Sequence, residues 1–127
     1  MEKTRTEHDL LGDKQVPAHC YYGIHTVRAL ENFQISGQTV GQNLHFIRAL
    51  AQVKKASAQA NQSFDLIDAE KSTAIQKACD VLIVHPEQWT SSFPSDVFQG
   101  GAGTSINMNC NEVIANIALE RLCCTKI

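Results

Sequence analysis

The 127-residue sequence lacks any apolar run near the ~18 residues that a bilayer-spanning helix needs. Its longest, Val81–Val84, is one helical turn or a short strand. The opening stretch Met1–Asp9 is charged and has no signal-peptide core, so the expected location is the cytoplasm. The net charge is −2 and there is no basic patch, which argues against nucleic acid as a partner. Five cysteines make an odd number; Cys20, Cys79 and Cys110 are isolated, and adjacent Cys123 and Cys124 are poorly placed to bridge each other. No disulfide framework is expected. Neither CxxC nor HExxH occurs, and His8, His19, His45 and His85 fall at no metal-like spacing, so no metal site is expected. There is no internal repeat and no low-complexity linker. A hydrophobic content of 43% fits one small domain or part of a larger one.

What the sequence does have is a glycine-rich segment followed by amides, Gln99–Glu112. Gly100, Gly101 and Gly103 lack a Cβ, so the chain there can take positive φ and approach a ligand closely. Thr104, Ser105, Asn107 and Asn109 can donate to carboxylate oxygens. Asn109 and Glu112 have the spacing of a capping box, and Val113, Ile114, Ile117, Ala118 and Leu122 follow at helical period. The loop is therefore expected to empty into a helix N-terminus starting at Asn109, where free N–H groups and the helix dipole favour an anion. A P-loop is excluded because no lysine lies between Lys77 and Lys126. A dinucleotide fingerprint is excluded because its third glycine would fall on Ile106. A turn that binds nothing is the plain alternative, weakened by three asparagines at alternate positions, each costly without a hydrogen-bond task.

Upstream, alanine, lysine and spaced leucines predict a helix over 43–63. A second is predicted from Asp68 as N-cap to Val84, ended by His85-Pro86. Residues 86–98 read as a loop anchored by Trp89, Phe93 and Pro94, with Ser91-Ser92 as a surface turn. The first 35 residues read as irregular, with a short hairpin around Gly12. Cys79 falls on an apolar helix face and is expected in the core, and Cys110 would be reactive only with a lowered pKa.

Several segments together carry a resemblance. Gly101–Val113 (Gly-Ala-Gly-Thr-Ser-Ile-Asn-Met-Asn-Cys-Asn-Glu-Val) resembles the first conserved region of the aspartase/fumarase superfamily. Arg5–Gly12, Val16–Ala18, Tyr21–Thr26, Arg28–Phe33, Val53–Ala56, Ala78–Asp80 and Phe93–Gln99 also resemble its N-terminal region. The resemblance implies a mainly α fold, the N-terminal domain of that superfamily, with an irregular N-terminal segment and three or so helices. It implies deamination of L-aspartate to fumarate and ammonia by base-catalysed elimination, no cofactor, and a homotetramer. Ala102, Ser105-Ile106 and His25 lean toward aspartase, since fumarases typically carry Ser, Gln-Ser and no such histidine there. On this resemblance Thr104, Ser105, Gly103 and Asn107 are the expected substrate-binding residues. The family's catalytic serine loop and two further substrate-contacting regions are not found here, so no catalytic base is assigned. Residues 1–122 read as the aspartase-like domain and 123–127 as a divergent tail, which suggests an interrupted gene, a partial translation or a short paralogue.

Two other clusters bear on function. His25 and Arg28 bring two cations together and are candidates for carboxylate or activator contacts, although Arg28 could simply pair with Glu31 along a helix. Lys54-Lys55 reads as a solvated helix face. Three readings stay open: part of a lyase, inactive by itself; a non-catalytic anion-binding module; and a truncated homologue that inserts into tetramers, with a fumarase-like parent as a variant of the first.

Overall fold

A computed structural model describes residues 3–123. The chain opens with an antiparallel hairpin, β1 (Thr4–Asp9) and β2 (Gly12–Pro17), paired from Thr4↔Pro17 to Asp9↔Gly12. The Asp9 carboxylate accepts the Leu11 N–H at 2.8 Å, an Asx turn that closes the loop. Helix α1 (Ile24–Asn32) follows, then a 3-10 turn at Val40–Gln42. Helices α2 (Leu44–Ser63) and α3 (Ala69–Val84) pack as a pair, a second 3-10 segment spans Pro86–Ser92, and α4 (Thr104–Arg121) closes the fold.

The mainly helical class is borne out, and α2 and α3 begin and end where expected. Asn43 caps α2 by accepting the Phe46 N–H at 3.0 Å, and Asp68 caps α3 by accepting that of Lys71 at 2.8 Å. Each Asn or Asp satisfies a donor that the helix itself cannot. Helix α1 was not anticipated, because no residue of its own caps it and its first turn holds no acid. The stretch read as a loop after His85 winds into 3-10 turns, and Ser92 is buried where a surface turn was expected.

Helix α4 starts at Thr104, with its N-cap six residues before the expected N-cap Asn109. Its N-cap is Gly103 in the left-handed region, φ 75°. Asn109 lies in the second turn and is fully buried. Its amide donates to the Ser92 carbonyl at 2.9 Å and its oxygen accepts the Ser95 hydroxyl at 3.1 Å. The spacing to Glu112 imitated a cap, but both residues serve distant segments.

The core lies where α2, α3 and α4 meet. Ile47, Ala51, Ala78, Cys79 and Leu82 face Phe93, Cys110, Val113 and Ile117. Gly41 marks a close approach of backbones: its N–H donates to the Phe93 carbonyl at 2.9 Å, and a Cβ there would lie 2.1 Å from the Thr90 oxygen. The expected core position of Cys79 is met, and burial pushes its thiol up to about 11. Cys124 and the rest of the predicted divergent tail, 124–127, lie outside the described residues.

Asp96 fastens the segment after α1. Its buried carboxylate accepts the Ser36 hydroxyl at 2.6 Å and the N–H groups of Ile35, Ser36 and Phe98 at 3.0, 2.8 and 2.7 Å. These donors, the Ser36 hydroxyl first and the Phe98 amide next, hold the carboxyl far below the usual aspartate range. A carboxyl with a depressed folded-state pKa adds stability above the unfolded value, about pH 3.9, and loses it as pH falls toward the folded value. Melting temperatures are therefore expected to fall below about pH 4. Asp96→Asn should melt lower at neutral pH yet lose less on acidification; an unchanged acid limb would show that Asp96 does not govern it.

Candidate functional site

The start of α4 is chemically open. Gly101 and Gly103 take φ of 71° and 75°, which only glycine adopts without strain. They turn the chain so that Thr104 and Ser105 become the first two helical residues. No side chain caps the helix at Gly103 and no acid lies in its first turn. The Ile106 N–H is taken by Gln99 Oε1 at 3.1 Å. The backbone donors of Thr104 and Ser105 remain at a positive helix end.

Thr104 and Ser105 line a cavity of about 630 Å³ together with His25 and Arg28. Met108, the hairpin tip and the end of α1 with Phe33 complete its wall. Four of the residues singled out from sequence thus converge, although 76 positions separate Arg28 from Thr104. Asn107 does not line this cavity. It turns toward α2 and accepts a hydrogen bond from the Lys54 ammonium.

Arg28 does not pair with Glu31. It makes a two-pronged pair with Asp9, Nε to Oδ2 and Nη2 to Oδ1 both 2.8 Å, and reaches the Gly12 carbonyl at 3.0 Å. Glu31 instead takes Lys14 at 2.6 Å. Side-chain hydrogen bonding between the two partners raises the Arg28 pKa and lowers that of Asp9. Arg28 therefore anchors the hairpin to α1. Arg5, in β1, ties the hairpin to the segment leading into α1, donating to the carbonyls of Pro17, Cys20 and Tyr22 at 3.0, 3.0 and 2.8 Å.

His25 is held by Glu112, whose carboxylate gathers the whole start of α1. Glu112 accepts the N–H groups of Gly23, His25 and Thr26 at 2.9, 2.7 and 3.2 Å, the Thr26 hydroxyl at 2.6 Å, and lies 3.1 Å from His25 Nδ1. Glu7 accepts the Ile24 N–H at 2.7 Å. Two carboxylates from other elements thus supply the cap that α1 lacks. Sequence reading missed this role for Glu112. No local signal pointed to it, since Glu112 lies 87 positions from His25.

Cys110 is fully buried and its thiol is pushed up to about 12 by burial, which removes it as a nucleophile. Lys54 and Lys55 are half-buried and engaged, Lys55 with Asp80 at 2.6 Å, and do not form the expected solvated face. Among the described residues no group of three or more His, Cys, Asp or Glu could hold a metal, and no helix is long and apolar enough to cross a membrane.

Comparison with known proteins places these features in context. The model of the family described as Lyase matches residues 12–125. The aspartate ammonia-lyase of Corynebacterium glutamicum is 54% identical over 121 residues, covering 95% of this chain and 23% of that protein. The class II fumarate hydratase of Halobacterium salinarum is 54% identical over 123 residues, covering 95% and 25% respectively. A crystal structure of a fumarate lyase:delta crystallin from Brucella melitensis superposes with a TM-score of 0.93 at 48% identity, covering 98% of this chain and 28% of that one. The chain spans about a quarter of the length of the curated relatives it matches.

Proposed function

Since the chain belongs to the Lyase family, we propose that residues 1–122 form the N-terminal domain of an aspartate ammonia-lyase, with 123–127 a divergent tail. In this reading the domain supplies the carboxylate-binding part of a site that converts L-aspartate to fumarate and ammonia. The observation that carries it is the uncapped start of α4, where Thr104 and Ser105 open onto the cavity shared with His25 and Arg28. Removal of the Cβ proton puts added negative charge on the neighbouring carboxylate. Fixed donors aimed at that charge lower the barrier more than any other single device. The Thr104 and Ser105 hydroxyls and the N–H groups following Gly103 are such donors. The proton acceptor comes from outside these residues, and the enzyme works as a cytoplasmic homotetramer without a cofactor. Ala102, Ser105-Ile106 and His25 favour aspartate over malate as substrate.

Grafting tests this reading. Residues 5–122 would replace the matching N-terminal segment of the Corynebacterium glutamicum aspartate ammonia-lyase and, separately, of the Halobacterium salinarum fumarate hydratase. The first chimera is expected to release ammonia from L-aspartate within about tenfold of its parent, and the second to lose malate turnover. The opposite pattern would overturn the aspartase assignment.

A further inference from the structure

We propose that Glu112 is a positioning residue that sets the tautomer of the His25 ring, Nδ1–H when the ring is neutral, so that its Nε2 then offers the cavity an acceptor and not a donor. The Glu112 carboxylate already accepts three backbone N–H groups and a hydroxyl, so toward the ring it is an acceptor as well. The 3.1 Å contact with Nδ1 therefore places the ring proton on that nitrogen. Nε2 has no protein partner among the described residues, and His25 lines the cavity with Thr104.

The seat is built and tight. Glu112 is 12% exposed and His25 48% exposed, so one partner is fixed by the fold while the other reaches ligand space. A Cβ at Gly23 would lie 2.7 Å from Glu7 Oε2 and 3.0 Å from Glu112 Cδ, so both carboxylates would have to shift. The backbone amide of His25 donates to the same oxygen that faces its ring, so main chain and imidazole are oriented together. The consequence concerns the ligand. In the Nδ1–H tautomer of the neutral ring, the lone pair on Nε2 repels a carboxylate and accepts from an ammonium or hydroxyl group. The cavity is thereby divided: donors for a carboxylate at the start of α4, an acceptor for a protonated amine at the start of α1. The choice of ligand rests on the proposed aspartate site; the tautomer does not.

The 127-residue chain labelled with ¹⁵N-histidine decides between them. Long-range ¹H–¹⁵N spectra at about pH 9, well above the ordinary imidazole range, report the tautomer. The expected form for His25 is Nδ1–H, with Glu112→Gln shifting the population toward Nε2–H. A wild-type ring in the Nε2–H form overturns the proposal, and this measurement needs no variant to fold. Thr26→Val removes one Glu112 contact without touching the ring and should retain Nδ1–H; loss of that form would assign the effect to general loosening and count against Glu112. L-Aspartate should shift the Nε2 resonance and succinate should not, and an equal shift by both overturns the acceptor role. If both ligands are silent while Nδ1–H persists, the positioning role stands and the acceptor role of Nε2 toward an amine fails.

Discussion

Thr104→Ala, made in the aspartate ammonia-lyase chimera, is expected to lower turnover of L-aspartate by about 10²-fold, the usual cost of one donor aimed at developing charge. The hydroxyl lies at the first position of α4, behind a glycine that no side chain caps. Helix and cavity wall would survive its loss, since Thr104 is exposed and makes no contact that holds the core. The effect should fall mainly on kcat, because the carboxylate gains charge only as the proton leaves. A rise in KM at unchanged kcat would show that Thr104 holds the ground state only. Unchanged kinetics would remove it from the site.

Phe93→Ala should be the most damaging single change to folding, at ~3–5 kcal/mol. Phe93 is wholly buried and is the largest side chain in the core. It belongs to the cluster formed by Ile47, Leu82 and Val113 from three different helices. Its backbone also links two segments, with its N–H bonded to the Thr90 carbonyl and its own carbonyl to Gly41. A domain's whole stability is about 5–15 kcal/mol, so the variant should melt far lower or fail to fold. Urea unfolding measures the loss directly, and a loss under about 1 kcal/mol would mean that the helices repack around the void.

The two middle helices were legible because their boundaries are local events. Asn43, Asp68 and the His85-Pro86 step act within a few residues of where they stand. Helix α1 was illegible for the opposite reason. Its cap, Glu112, lies 87 positions from His25, and no local pattern announces it. The start of α4 was misplaced because Asn109 and Glu112 have the spacing of a cap while serving Ser92 and α1. At the site the residues that share a cavity, Thr104, Ser105, His25 and Arg28, could be picked out as candidates by residue type. Their partners could not, since Asp9 and Glu112 are ordinary acids until the fold brings them to Arg28 and His25.

The two buried asparagines of α4 have a consequence for how the cavity keeps its shape. Apolar rows by themselves tolerate a helix that slips by one turn, about 5.4 Å, or rolls about its axis. Asn109 and Asn116 sit two turns apart and reach the carbonyls of Ser92 and Tyr21 at 2.9 and 2.8 Å. Any slip would strand both amides in a dry interior at about 1–3 kcal/mol each. They work like the notches of a key, admitting α4 at one depth and one angle. The position of Thr104 at the head of the helix is therefore set by two amides deep in the protein.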